Sequence, residues 1–298
     1  MLETAMKTTF NGHSMVGALD RVLVCSPRAA GWGQAEWTAQ WKGLGFRHAP
    51  DFATAQAQHE VLCRELKAVG AEVFELPAAR DLSLDAVYTH DASLPTDYGV
   101  IAMRPGKANR VCEGSYQREF CEGLGIPMLG NIVAPGTSEA GDILWLDENT
   151  LLIGRGYRTN QDGIRQIREM LISKGIEVLS APLPHGSGPS ECLHLMSLIS
   201  LLDDQTALVD LPCLAVETVE LLQSRGFRPI EIAHSERATL ACNVLALGNN
   251  RLLAIEGNRE TNERLRRAGF DVRTFPGGEL CVNGGGGPTC LTRPLRRS

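Results

Sequence analysis

The chain has 298 residues, enough for one large domain or two ordinary ones and for a full apolar core. Its net charge of −6 offers no electrostatic basis for binding nucleic acid or an anionic membrane surface. No apolar run approaches the ~20 residues of a membrane span, and the first residues, Met1 to Lys7, hold no signal-peptide core. Nine cysteines, without a CxxC pair and mostly inside apolar runs (Cys25, Cys63, Cys213), suit reduced thiols in a cytoplasmic protein. They predict neither a disulfide framework nor a zinc site, and no cofactor is expected.

In chain order, one phrase occurs five times: a helical stretch that stops at a glycine, followed by a short apolar strand. The stops are Gly70, Gly125, Gly175, Gly226 and Gly269, spaced 55, 50, 51 and 43 residues apart. Glycine is the natural left-handed helix stop. The preceding helices are amphipathic, with Ile164, Ile167, Met170 and Leu171 at helical spacing, as are Val216, Val219 and Leu222. Strands are predicted between the units, for instance at residues 150–154 and 206–210. No Pro/Ser-rich linker divides the chain, so residues 1–298 read as one domain of five ββαβ-type units. Near the start, residues 29–34 place glycines around Trp32, as a lid over a site would, or an ordinary surface loop.

The chemistry-bearing residues follow the same order. If residues 85–91 form a strand, alternation puts Asp85, Val87, Thr89 and Asp91 on one face. Two carboxylates on one buried face call for a cation. Glu139 and Asp142 flank Ala140-Gly141, where acidic residues also serve as turn formers before a strand. His194 lies among Leu193, Leu195 and Met196, the setting of many core histidines. The tail then brings four glycines, Gly284 to Gly287, and after Pro288-Thr289 the residue Cys290. A glycine run lets backbone pack where a Cβ would not fit. A phosphate loop would end in Gly-Lys-Ser/Thr and open a helix, and here Pro288 follows. Apolar flanks Leu280, Val282 and Leu291 argue against a loose tail. The run reads as a loop hugging a substrate and presenting a nucleophile. A thiolate with a histidine acid/base is a nucleophilic pair, and paired carboxylates hold a cation.

Five units of roughly 50 residues closed by this cysteine resemble the guanidine-modifying enzymes of the α/β-propeller (pentein) superfamily, from about residue 18 to 295. That superfamily includes arginine deiminase, dimethylarginine dimethylaminohydrolase and the amidinotransferases. The resemblance implies a five-bladed α/β propeller of ββαβ units around a pseudo-five-fold axis. It implies Cys290 as nucleophile and His194, in a His-Leu-x-Ser stretch, as acid/base. Glu139, in Glu-Ala-Gly-Asp, would orient His194, with Ala140 where the family has Gly. By the same likeness Asp91 holds the guanidinium and Asp85 the α-amine, while Arg110 and Arg158 clamp the α-carboxylate. Gly284 accepts a substrate N–H through its carbonyl. His90 departs from the Glu or Arg that relatives carry there. Deiminases have an Asp two residues after the histidine that grips the second side of the guanidine. Here it is Met196, which implies a substituted nitrogen and hence hydrolysis of Nω-methylated arginine to citrulline and a methylamine through a thiouronium. Rivals are hydrolysis by an arginine deiminase or dihydrolase, amidino transfer, and a non-catalytic binding protein, against which Cys290, His194 and Glu139 count. The expected partners are a guanidino amino acid and, at most, a second copy in a homodimer.

Overall fold

The computed structural model describes residues 10–189 and 193–298, so the reading of Met1 to Lys7 lies outside the described residues. Its strands pair in five three-stranded sheets. The first holds β1 (Leu19–Val24) and β2 (Glu72–Glu75), and its other edge is the last strand of the chain, β15 (Arg293–Arg297). The second is β3 (Ser93–Thr96), β4 (Gly99–Ala102) and β5 (Met128–Asn131), and the third β6 (Ile143–Asp147), β7 (Thr150–Arg155) and β8 (Glu177–Pro182). The fourth is β9 (Ile199–Asp203), β10 (Thr206–Val209) and β11 (Arg228–Glu231). The fifth is β12 (Leu245–Gly248), β13 (Arg251–Ile255) and β14 (Asp271–Phe275).

Every middle strand is antiparallel to one neighbour and parallel to the other. The antiparallel partner needs only a turn, whereas the parallel one needs a crossover. Helices supply the five crossovers. After two short helices, α1 (Ala35–Thr38) and α2 (Trp41–Leu44), they are α3 (Phe52–Ala68), α4 (Glu113–Gly123), α5 (Gln161–Ile172), α6 (Val216–Ser224) and α7 (Arg259–Arg267). The expected ββαβ unit is therefore present five times, and β15 completes the first copy. On α5, Ile164, Ile167 and Leu171 are buried, as their spacing requires. On α6 the burial falls on Thr218 and Leu222, while Val216 at the helix start is exposed.

All five predicted stops have positive φ, from 73° at Gly125 to 98° at Gly269. A Cβ there would meet nothing within 4 Å, so only backbone strain opposes a side chain. Gly175→Ala should cost about 1 kcal/mol, read from denaturant unfolding at unchanged m-value.

Residues 85–91 are not a strand. Two turns of 3₁₀-helix, Leu84–Val87 and Thr89–Ala92, occupy this stretch, so its side chains do not alternate. The turns nevertheless deliver Asp85 and Asp91 to the same cavity, with Tyr88 between them.

Candidate active site

A cavity of about 780 Å³ receives Cys290, His194, Asp85, Asp91 and Arg158 from distant parts of the chain. Its glycine-rich wall is as tight as the sequence demanded. A Cβ on Gly284 would lie 2.0 Å from Tyr88 Oη, and one on Gly286 would lie 2.5 Å from the Tyr88 ring. On Gly287 it would lie 2.5 Å from Asn243 Oδ1, and Gly285 has φ of +86°. The loop therefore packs against the protein's own Tyr88 and Asn243, which in turn settle where Cys290 stands.

Asn243 carries an informative pair of bonds. Its Oδ1 accepts the Thr289 N–H at 3.0 Å, and its Nδ2 donates to Cys290 Sγ at 3.1 Å. The backbone bond decides which end of the amide faces sulfur. A donor aimed at sulfur stabilises a thiolate over a thiol. Asn243→Ala should therefore raise the pH at which Cys290 becomes alkylated by iodoacetamide and lower kcat about tenfold; an unchanged alkylation profile would refute this role. Cys281 offers no rival nucleophile. It is fully buried, and burial pushes its thiol well above the ordinary range.

His194 begins a 3₁₀ turn, Leu195–Ser197, in which Ser197 Oγ accepts the His194 N–H at 3.1 Å. Asp142 Oδ1 accepts the Leu195 N–H at 3.0 Å and so pins the turn from behind. That is the structural role its place in the motif suggested, and burial raises its carboxyl to about 7. Glu139 Oε2 lies 2.7 Å from His194 Nε2, while its Oε1 accepts the Gly106 N–H at 2.9 Å. Burial alone would raise the Glu139 carboxyl; its bond to His194, and the charges of His194, Arg110 and Arg158, outweigh this and hold it below the usual range. Asp91 is likewise depressed: burial opposes its charge, and His194 and Arg110 overcome the opposition. Asp91 Oδ1 accepts the Gly141 N–H at 3.1 Å and lies 3.9 Å from His194 Nδ1. A Cβ on Gly141 would come within 2.6 Å of that nitrogen, so the motif's retained glycine admits the histidine. Asp91, Glu139 and His194 each bring a donor atom within 4.8 Å of the others, the spacing of a cation cluster.

Several expectations change in the fold. Arg110 is not presented as a carboxylate fork. It is buried, donating to Glu113 through Nε and Nη2, to Asp91 through Nη1 at 2.7 Å and to the Tyr88 carbonyl. It does line the cavity, but with its donors engaged by Glu113, Asp91 and the Tyr88 carbonyl. Met196 does not line this cavity. The 3₁₀ turn carries it to the other side, into the apolar cluster with Leu144 and Ile199. A carboxylate at 196 would therefore disturb packing rather than grip a guanidine. His90 also faces away: Nδ1 lies 2.9 Å from the Thr292 carbonyl, and burial, reinforced by Arg293, keeps the ring neutral. Its departure from the family pattern does not touch the cavity. Residues 29–34 do not line it either, because Trp32 is buried and donates to the Leu84 carbonyl at 2.9 Å. Leu44, Gly45 and Arg47 stand at the rim instead. Asp85 lines the cavity paired with Lys107, and Arg158 lines it 3.8 Å from Glu139. Asn243, Lys107 and Glu113 were missed. Lys107 directly follows Arg104-Pro105-Gly106, a turn-forming run and so a usable signal, but nothing local marks Asn243.

The arginine deiminase family model matches residues 85–224 and 213–297. A dimethylarginine dimethylaminohydrolase of Pseudomonas aeruginosa is 29% identical over 242 residues, covering 78% of this chain and 89% of that protein. The one of Streptomyces coelicolor is 29% identical over 255 residues, covering 84% and 89%. The structure of the Pseudomonas aeruginosa enzyme with citrulline superposes with a TM-score of 0.75 at 27% identity, covering 92% of this chain and 98% of that one. An arginine dihydrolase domain from cyanobacteria (TM-score 0.78, 24% identity, covering 93% and 97%) shares the fold. With its family model matched from Asp85 onward and its cysteine, histidine and carboxylates gathered in one cavity, this chain belongs to the arginine deiminase family, within the guanidine-modifying superfamily that its sequence resembles.

Proposed function

We propose that the chain hydrolyses an Nω-methylated arginine to citrulline and methylamine or dimethylamine, and that its five units close as a five-bladed propeller with this cavity at one end of the axis. The chain is an enzyme, a hydrolase acting on guanidino C–N bonds. The observation that carries the proposal is the convergence of Cys290, His194 and Asp91 on one cavity, with Glu139 behind the histidine.

In this reading Asp91 holds the planar cation and Cys290 Sγ attacks its central carbon. With Nε2 bonded to Glu139, proton transfer falls to His194 Nδ1, which stands beside Asp91 and hence beside a nitrogen held there. It protonates the departing amine as the C–N bond breaks, leaving a thiouronium on sulfur. The same nitrogen then takes a proton from water, which adds to the carbon; Sγ departs and citrulline remains. Asp85 takes the α-amine and Arg158 the α-carboxylate, both of them lining the cavity, and the Gly284 carbonyl accepts a substrate N–H.

Substrate choice rests on how many carboxylates face the guanidine. Among the described lining residues they are Asp85, Asp91 and Asp210. Asp85 is paired with Lys107 and Asp210 with Arg237, while Asp91 meets Arg110 through Oδ2 and keeps Oδ1, on the His194 side, for the cation. A one-sided grip tolerates a methylated nitrogen on the other side, as the named relatives' substrate requires. Purified enzyme should release citrulline and dimethylamine from asymmetric dimethylarginine, with kcat/KM about 10- to 100-fold above arginine, since one or two methyl contacts are worth ~1–3 kcal/mol. Faster release of ammonia from arginine would mark a deiminase or dihydrolase. Ornithine appearing only with an added amine would mark a transferase.

A further inference from the structure

A second cavity, of about 40 Å³, is walled by one edge strand from each of the five sheets, with Leu94, Ile143, Leu201, Ala246 and Pro294 contributing. It is too small for an amino acid. By the measure in which ~10–15 Å³ holds one water, it has room for a small ion with a little water.

Its polar lining is one-sided. Arg293 and Arg297, both on β15, are each 5% exposed and both line it. Among the described residues neither forms an ion pair with a carboxylate, and the lining includes no Asp or Glu. Arg297 donates through Nη1 to the Gly17 and Ala246 carbonyls. Arg293 Nε and Nη2 meet no acceptor, nor do the Thr289 hydroxyl and Trp145 Nε1, both buried in the same lining. These unmet groups are all N–H or O–H donors. Burying two guanidinium groups in the wall of one cavity without an ion-paired carboxylate is costly. Consistent with that cost, burial lowers Arg293 to about 9, with Arg297 adding to the fall and Asp91 opposing it, and lowers Arg297 to about 10. A guest that is compact, negative and purely an acceptor answers the charge and the donors together.

We infer that this cavity is a binding site for a small monovalent inorganic anion of the halide class, held between Arg293 and Arg297 with Thr289 and Trp145 as further donors. The site adjoins the catalytic cavity through two peptide bonds, Thr289 to Cys290 and His90 to Asp91, yet shares none of its chemistry.

The test compares thermal unfolding of the intact enzyme in sodium chloride with that in sodium gluconate at equal ionic strength, gluconate being too large for the cavity. Chloride should raise Tm saturably by about 2–4 °C once several-fold above its Kd, and Arg293→Met should abolish the chloride-specific rise. Crystals soaked in bromide should show an anomalous peak between the two arginines, a measurement that stands even where R293M does not fold. Identical Tm in the two salts, or a bromide-soaked crystal with only water at that position, would overturn the assignment.

Discussion

Cys290→Ser should lower turnover by at least about a thousandfold, measured as citrulline formed from dimethylarginine, while Cys281→Ser should keep most of it. The contrast follows from where the two sulfurs stand. Cys290 lines the cavity with Asn243 Nδ2 at 3.1 Å, a donor that favours the thiolate, whereas Cys281 lies fully buried beneath the loop and is held as a thiol. A serine at 290 keeps the approach but presents a hydroxyl that stays protonated near neutral pH, so the attack on a resonance-stabilised carbon slows sharply. Substrate binding should survive, since in the proposed reading the guanidinium is held by Asp91 rather than by sulfur. Mass spectrometry of the enzyme quenched during turnover should find the alkylthiouronium adduct (substrate less dimethylamine), and since Cys281 and Cys290 share the tryptic peptide that begins at Thr274, its fragment ions should place the adduct on Cys290. Finding it on Cys281 would overturn the assignment.

Glu139→Gln is expected to cost about 10²- to 10⁴-fold in kcat with little change in KM, by analogy with the loss of the buried carboxylate behind a catalytic histidine. Glu139 has no exposure and does not line the cavity, so its effect reaches substrate chiefly through the 2.7 Å bond to His194 Nε2, the Arg158 guanidinium at 3.8 Å being the more distant contact. An amide in its place can satisfy the Gly106 N–H but cannot stabilise an imidazolium. His194→Ala should lose turnover in step while still binding substrate by isothermal titration. A rise in KM with kcat preserved would instead make Glu139 a binding residue. The same substitution has a signature in acid stability. Glu139 is depressed in the folded state, so it contributes stability that is complete above its unfolded value near 4.3 and lost as pH falls towards the folded value. E139Q should therefore be less stable at pH 7 and lose less on acidification below about pH 4 than the parent.

The repeat was legible in the chain because each helix stop is a local event. A residue at φ near +80° must be glycine or pay for it, so the five stops announce themselves one by one. The run from Gly284 to Gly287 was legible for a related reason, since a backbone with no Cβ at four successive positions has something pressed against it. The proposed catalytic set of Cys290, His194 and Glu139 came from matching short motifs to a family, and no composition or periodicity would have singled out one histidine of seven. What pressed against the glycines needed the fold: Tyr88 and Asn243 are remote in sequence and meet the loop only when the second and fifth units are in place. Direction also needed the fold. Strand alternation would have put Asp85 and Asp91 on one face, and 3₁₀ turns put them in one cavity by another route. The turn at residues 195–197 sends Met196 into the core although its neighbour His194 faces the site. Arg110 shows the same limit for charge. A guanidinium in a sequence carries no label for its partner, and only packing beside Glu113 and Asp91 decides which carboxylates its donors meet in the cavity wall.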